Sequence, residues 1–272
     1  ATKWMTQLIL EPTSINPLFN VYTSSEDQYD RQHAIIYLTK SIRICWKVID
    51  PNARNCIFDM LTEILIREQI WFLRNLIIDA IYIIVTTSKY YEPLLNFISK
   101  AVENGTEESL LIAIQLAPLL QQFPEPVAEY LISLLDRGLS FSGDISPLQL
   151  EIKISSLHLL LFSSPELKKF PLFNDKFPAF WSSSVEILDH CKDDHSLLKR
   201  VTNYFLYALH QGRKDLDPLL LLQKTIPFFS RGEEDFNVLL LVFSIIQNIC
   251  HFYPEAIMSC GVFPQIIELS IS

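Results

Sequence analysis

The chain has 272 residues, of which 49% are apolar, 19% are charged and six are glycine. This apolar fraction supports a large buried core and excludes an intrinsically disordered chain. Nucleotide-binding α/β folds and loop-rich β folds rely on glycine for tight turns, so the low glycine content argues against both. The 22 basic and 31 acidic residues give a net charge of −9, which argues against a direct nucleic-acid partner and favours a basic one.

Apolar residues recur every three or four positions along most of the chain. Ile57, Leu61 and Leu65 fall on one face of a helix, and Ile35 and Leu38 show the same spacing. No stretch alternates with a period of two over a length that would indicate a β-sheet. We therefore predict an all-α protein.

Prolines and polar breaks divide the helical pattern into pairs. Proline is tolerated in the first turn of a helix because its missing N–H has no intrahelical partner there. The predicted first helices of the pairs begin at or near Pro51, Pro93, Pro126, Pro178, Pro218 and Pro254. The second helices are predicted to follow polar breaks at residues 24–27, 68–69, 104–106, 192–194 and 231–234.

The prolines are 33 to 52 residues apart, which is typical of the two-helix unit of HEAT and armadillo repeats. Since one amphipathic pair cannot bury both of its faces, neighbouring pairs must stack. We predict a right-handed α-solenoid of about seven helix pairs, forming one domain over residues 1–272. Residues 139–147 are predicted to be a long connection within a repeat, and residues 170–180 an irregular linker.

One segment carries a family resemblance. Residues 30–42, DRQHAIIYLTKSI, followed by Trp46, resemble the second helix of the second HEAT repeat of importin-β-type nuclear transport receptors (karyopherins). The match extends without gaps from Pro17 to Ile84, and its details favour the importin-4-like branch. The chain begins inside the first repeat of that pattern and ends after about seven of its repeats. We therefore expect an N-terminal portion of a longer receptor.

The resemblance implies transport rather than catalysis. Family members bind the GTP form of Ran through the second helices (B helices) of their first repeats and bind basic cargo on an acidic concave surface. Phe-Gly nucleoporins bind between the first helices (A helices) of the repeats. Ran-GTP releases cargo by favouring one curvature of the array over another. The resemblance thus implies shuttling between cytoplasm and nucleus through the nuclear pore.

The same resemblance points to two sets of candidate contacts. The candidates for Ran are Arg31, Lys40, Arg43, Arg74, Asn75 and Asp79. The alternatives are an inter-repeat salt bridge for Arg31, solvated charges for Lys40 and Arg43, and a paired structural carboxylate for Asp79. The candidates for basic cargo are Glu107, Glu108, Asp193, Asp194, Glu233, Glu234 and Asp235. Their alternative role is to complement the positive ends of helix dipoles.

Several other patterns receive structural interpretations. The aromatic residues Trp46, Trp71, Phe72, Phe205, Phe228, Phe229 and Phe243 are predicted to lie in the core. The uncharged stretch at residues 236–254 contains polar side chains that would be costly in lipid, so we expect a helix buried among other helices and no membrane partner. The five scattered cysteines are expected to be free thiols.

No motif indicates catalysis, a cofactor or a metal. His190, Cys191 and His195 lack the fourth ligand that zinc normally needs. The triplet at residues 104–106 matches a glycosylation sequence by chance in a predicted loop. We predict a non-enzyme. The alternatives to a transport receptor are a HEAT scaffold subunit of a chromatin or RNA-processing assembly, and an exchange factor on a solenoid.

Overall fold

A computed structural model describes residues 11–89, 91–120, 125–211, 216–231, 236–255 and 258. Within these ranges the secondary structure is helical and no β-strand occurs, as predicted. The chain divides into two compact units, Ala1–Gln121 and Gln122–Ser272. The prediction of one continuous array over residues 1–272 stays a prediction.

The described part of the first unit contains three helix pairs. Its helices are α1 (Ile15–Ser24), α2 (Gln28–Cys45), α3 (Pro51–Arg67), α4 (Trp71–Ser88), α5 (Tyr91–Glu103) and α6 (Glu107–Leu116). Each odd-numbered helix packs against the next, α2 packs along α4, and α3 contacts α6. Short 3₁₀ segments at Pro12–Ser14, Trp46–Val48 and Ala117–Leu119 complete the described part of the unit.

The described part of the second unit contains six longer helices, which form three pairs arranged in two layers, and one four-residue helix between the members of the second pair. Its helices are α7 (Glu125–Leu139), α8 (Pro147–Leu167), α9 (Pro171–Val185), α10 (Ile187–His190), α11 (His195–His210), α12 (Pro218–Thr225) and α13 (Phe236–Phe252). Helices α7, α9 and α12 contact one another in succession, as do α8, α11 and α13. This layering of first and second helices confirms the predicted helical repeat.

The described residues thus contain six helix pairs, against about seven predicted. Residues 254 and 255 are helical, and the remainder of the helix predicted from Pro254 lies outside the described residues. Residues 1–10, with which the chain is predicted to begin inside a first repeat, also lie outside them. All the predicted breaks between paired helices are found except the last, at residues 231–234, which falls largely outside the described residues.

Aspartate and serine side chains cap the N-terminal ends of several helices. Asp27 accepts a hydrogen bond from the amide of Tyr29 at 2.7 Å, and Asp50 caps α3 in the same way. Ser146 and Gln149 form a reciprocal capping box at the start of α8. These contacts satisfy amides that the helix itself leaves unpaired.

Residues 170–180 form most of α9, so the prediction of an irregular linker is wrong. Pro171 occupies the first turn of α9, and Pro178 lies within the helix rather than at its start. Phe173, Phe177 and Phe180 are buried at helical spacing. Burying these rings stabilises the helix more than the internal proline destabilises it.

The connection predicted at residues 139–147 is found between α7 and α8, where residues 140–146 are not helical. Gly143 has a φ of 75° there, which a residue with a side chain adopts only at a cost. The buried Lys153 ammonium donates to the carbonyl of Phe141 at 2.7 Å, and this contact anchors the connection to α8.

Pro165 lies inside α8 and cannot donate to the carbonyl of Leu161, four residues before it. The hydroxyl of Ser164 donates to that carbonyl at 3.1 Å. The carbonyl therefore keeps a hydrogen-bond partner in a buried environment, and α8 continues past the proline to Leu167.

The uncharged stretch at residues 236–254 corresponds to α13, which packs against α11 and α12. Val242, Ile245 and Ile249 are buried. Within the described ranges, no helix combines the length and the apolar character that crossing a membrane would require.

We predict that Phe173→Ala lowers the free energy of unfolding by about 3–5 kcal/mol, because it leaves a cavity beneath α9. Leu172→Ala is the matched control, since Leu172 is 45% exposed and its truncation should cost less than about 1 kcal/mol. Urea unfolding followed by far-ultraviolet circular dichroism measures both variants. Similar values for the two variants would contradict the buried packing of α9.

Candidate functional site

Helices α2 and α4 bring four of the predicted Ran contacts together. Lys40 and Arg43 are exposed on α2, while Asp79 is exposed and Asn75 half-buried on α4. Partial desolvation raises the pKa of Asp79, and the nearby Arg43 guanidinium offsets part of that rise. We call these four residues, together with the aromatic side chains described below, the α2–α4 face.

Arg31 and Arg74, the other two predicted contacts, are engaged in a polar network. We call Tyr22, Arg31, Glu68, Arg74 and Gln115 the Glu68 cluster. It links all three helix pairs of the first unit, because Tyr22 and Arg31 belong to the first pair, Glu68 and Arg74 to the second, and Gln115 to the third.

Glu68 is the centre of the cluster, and its side chain is only 2% exposed. Its carboxylate accepts hydrogen bonds from the Tyr22 hydroxyl and the Arg31 guanidinium, and from the amide of Ile70 at 2.9 Å. The Arg31 guanidinium also lies 5.0 Å from the centre of the Tyr22 ring. A buried carboxylate needs such partners to offset its desolvation. The structure therefore shows the inter-repeat salt bridge for Arg31.

Arg74 extends the cluster to the third helix pair. Its guanidinium donates to the backbone carbonyl of Glu68 at 3.4 Å and to Oε1 of Gln115 at 3.0 Å. Arg74 is buried, so its contribution in this geometry is to hold α4 against α3 and α6. A contact of Arg31 or Arg74 with Ran stays a prediction.

Tyr22 has a strongly altered acidity. Burial raises the pKa of its phenol well above the ordinary value, and the hydrogen bond to the Glu68 carboxylate raises the pKa further. An ionised phenol beside a buried carboxylate would place two negative charges in contact. The phenol therefore stays protonated and keeps donating to Glu68.

A row of aromatic side chains on α2, of which the first is exposed and the other two are half-buried, was not predicted from the sequence. The rings of Tyr29 and His33 are 4.3 Å apart, those of His33 and Tyr37 are 6.4 Å apart, and the Lys40 ammonium lies 5.3 Å from the Tyr37 ring. Tyr29 is 68% exposed. The spacing of four residues between the three rings was the available signal, since it places them on one stripe of the helix.

The core prediction is correct for Trp46, Phe205 and Phe228 and wrong for Trp71 and Phe243. Trp71 is 39% exposed and Phe243 is 41% exposed. Trp71 is the first residue of α4, so no preceding turn of the same helix covers its side chain. Phe72 is half-buried, and the side chain of Phe229 lies outside the described residues.

The described acidic candidates lie at helix starts. Glu107 and Glu108 are in the first turn of α6, and the Asp194 carboxylate caps α11 by accepting from the amides of Ser196 and Leu197. This confirms their role at the positive ends of helix dipoles. Asp193 lies in the turn before α11. Glu233, Glu234 and Asp235 lie outside the described residues, and a shared acidic surface for cargo stays a prediction.

His190, Cys191 and His195 do not form a metal site in the described structure. Cys191 is buried, and burial together with the Asp194 charge raises the pKa of its thiol to about 12, whereas a metal-binding thiol is deprotonated. In the parts of the chain that the structure describes, no three or more such side chains are grouped as metal ligands. Cys45, Cys56 and Cys250 are also free thiols, as predicted.

The stacked helix pairs and the exposed aromatic and charged side chains define a helical-repeat protein with a surface suited to a macromolecular partner. The family model of the importin-beta N-terminal domain matches residues 1–67, a range that includes α1, α2 and α3. This part of the chain is therefore similar to the N-terminal domain of the importin-β family, while membership of the whole chain in that family and its assignment to the importin-4-like branch stay predictions. The chain shows no significant similarity to a curated protein or to a solved structure.

We predict that Glu68→Gln lowers the free energy of unfolding by about 2–4 kcal/mol, because Arg31 loses its buried counter-charge. Glu63→Gln is the matched control. Glu63 pairs with Arg67 on the surface, and such an exposed pair contributes less than about 1 kcal/mol. Urea unfolding of both variants at neutral pH measures the difference. Equal stability of the two variants would show that the Glu68 cluster does not hold the helix pairs together.

We predict that Tyr22 makes the protein less stable at alkaline pH. Above the ordinary tyrosine pKa of about 10, the unfolded chain loses the phenolic proton while the folded chain keeps it. The free energy of unfolding therefore falls as the pH rises from there. Tyr22→Phe removes this titration and should make the fall shallower by up to about 1.4 kcal/mol per pH unit.

Tyr29→Phe is the control for this pH dependence, because the Tyr29 ring is exposed. Urea unfolding at a series of pH values compares the two variants with the unmodified chain. If the free energy of unfolding of Tyr22→Phe fell with pH as steeply as that of the unmodified chain, this would contradict the buried phenol–carboxylate contact.

Proposed function

We propose that the chain is a transport receptor of importin-β type and binds the GTP form of Ran through the α2–α4 face. The observation that carries the proposal is the match of residues 1–67 to the importin-beta N-terminal domain. The exposed face agrees with it, since α2 and α4 are the second helices of the first two described pairs. Transport receptors of this family are not enzymes.

The roles within the face follow from charge and exposure. Lys40, Arg43 and Asp79 present charges that set the orientation and rate of association. Tyr29 and Tyr37 supply the rigid aromatic area that typically dominates binding energy. Because the Glu68 cluster already engages Arg31 and Arg74, we assign those two side chains to positioning α2 and α4.

Basic cargo and Phe-Gly nucleoporins are the further partners that we propose. The net charge of −9 and the carboxylates of Glu107, Glu108, Asp193 and Asp194 favour a cargo rich in lysine and arginine. Release follows if Ran-GTP and cargo prefer different curvatures of the helical array. In this function the protein shuttles between cytoplasm and nucleus.

We predict that the full chain binds Ran loaded with a non-hydrolysable GTP analogue and binds Ran-GDP much more weakly. The double variant Lys40→Glu/Arg43→Glu should weaken binding to the GTP form by about tenfold or more, because it reverses two contact charges. Lys100→Glu/Lys169→Glu makes the same charge change at exposed positions on α5 and just after α8, and it should bind as the unmodified chain does. Surface plasmon resonance with immobilised Ran measures all three proteins.

Two results would contradict the proposal. Equal affinity for both nucleotide states of Ran, or no affinity for either, would favour the scaffold alternative. An equal loss in the two double variants would show that net charge, rather than the α2–α4 face, determines binding.

A further inference from the structure

The turn between α5 and α6 combines two features that make an asparagine reactive. Asn104 and Gly105 are both exposed, and Gly105 has a φ of 72°. Around the α-carbon of Gly105 there is open space, because a β-carbon placed there would approach no atom more closely than the Glu103 carbonyl oxygen, at 4.0 Å. Position 105 therefore carries no side chain that could obstruct an approach of the Asn104 side chain to the Gly105 backbone nitrogen.

We propose that Asn104 is a site of spontaneous deamidation in the folded protein. The Gly105 backbone nitrogen, after losing its proton to solvent base, attacks the side-chain carbonyl carbon of Asn104. The bond to the side-chain nitrogen breaks, ammonia leaves, and a five-membered succinimide ring forms. Water then opens the ring at either carbonyl and gives aspartate or isoaspartate, so the only co-reactant is solvent.

Two other exposed asparagines are protected by their helices. Asn55 lies within α3 and Asn96 within α5, where the following amide is held by the helical hydrogen-bond ladder. Their following residues, Cys56 and Phe97, also carry side chains that obstruct ring closure. The Gly105 amide makes one turn hydrogen bond, to the Val102 carbonyl at 3.1 Å, and helix ends of this kind open readily.

The products alter the start of α6. Aspartate at position 104 adds a negative charge at the carbonyl end of α5, where the helix dipole disfavours it. Isoaspartate at position 104 adds a methylene to the backbone before Gly105, two residues ahead of Thr106, whose hydroxyl accepts from the Ser109 amide at 3.2 Å. Glu107 and Glu108 follow directly, so the modification changes the charge and position of a candidate cargo-binding segment.

We expect incubation of the full chain in mildly alkaline buffer to deamidate Asn104 at least about tenfold faster than Asn55 and Asn96, because only the latter two amides are held inside helices. Tryptic peptide mass spectrometry detects the mass increase of one dalton, and enzymatic isoaspartate methylation detects the rearranged product. Asn104→Gln is the control, since glutamine would have to close a slower six-membered ring, and its peptide should stay unmodified.

The urea-unfolded chain gives the rate of Asn104 deamidation in the absence of structural protection. A folded-state rate at Asn104 within about tenfold of that unfolded rate supports the proposal, because it shows that the helix end opens. A rate at Asn104 as low as those of Asn55 and Asn96 in the folded chain would overturn it, since the turn bond to Val102 would then protect the amide fully.

Discussion

The Glu68 carboxylate is buried between helix pairs, and its need for partners determines how the N-terminal pairs pack. A lone buried carboxylate is too costly to retain its charge, so the chain surrounds it with donors from separate elements. Tyr22 lies near the end of the first helix of pair one, Arg31 lies in the first turn of its second helix, and the Ile70 amide precedes α4. Any slip between the pairs would separate the carboxylate from these donors, and the cluster therefore fixes the register of α2 against α4.

This arrangement determines which charges remain exposed for a partner. Arg31 and Arg74 are used inside the first unit, whereas Lys40, Arg43 and Asp79 lie on its surface. The half-buried Tyr37 ring lies beside the Lys40 ammonium on the same helix. The geometry of the α2–α4 face thus depends on the buried cluster, because Arg31 of α2 and Arg74 of α4 are both held by it.

The sequence predicts the helical class and most of the turns because these features are local. A capping aspartate such as Asp27, or a polar break such as Glu68–Gln69, acts within a few residues of the helix end that it marks. The salt-bridge alternative for Arg31 could be stated in advance, but its partner could not, since Glu68 lies 37 residues away. The contribution of Tyr22 was likewise unpredictable, because periodicity assigns it to a buried face without showing which polar group it meets.

The wrong predictions also arise because a local signal does not show how a residue is packed in the folded chain. Residues 170–180 contain two prolines, which locally indicate a linker, yet tertiary burial of the phenylalanines stabilises a helix there. Trp71 was assigned to the core from its residue type, although a side chain in the first turn of a helix lacks a covering neighbour. The aromatic row on α2 was missed because exposed aromatic side chains contradict the general preference for burial.

Hydrogen–deuterium exchange of the full chain with and without Ran would locate the binding surface. We expect Ran loaded with a GTP analogue to slow exchange in the second half of α2 and in the first half of α4, to leave α1 and α3 unaffected, and Ran-GDP to give no such protection. Protection confined to α1 and α3, or identical protection by both nucleotide forms, would contradict the assignment of the α2–α4 face as the Ran-binding surface.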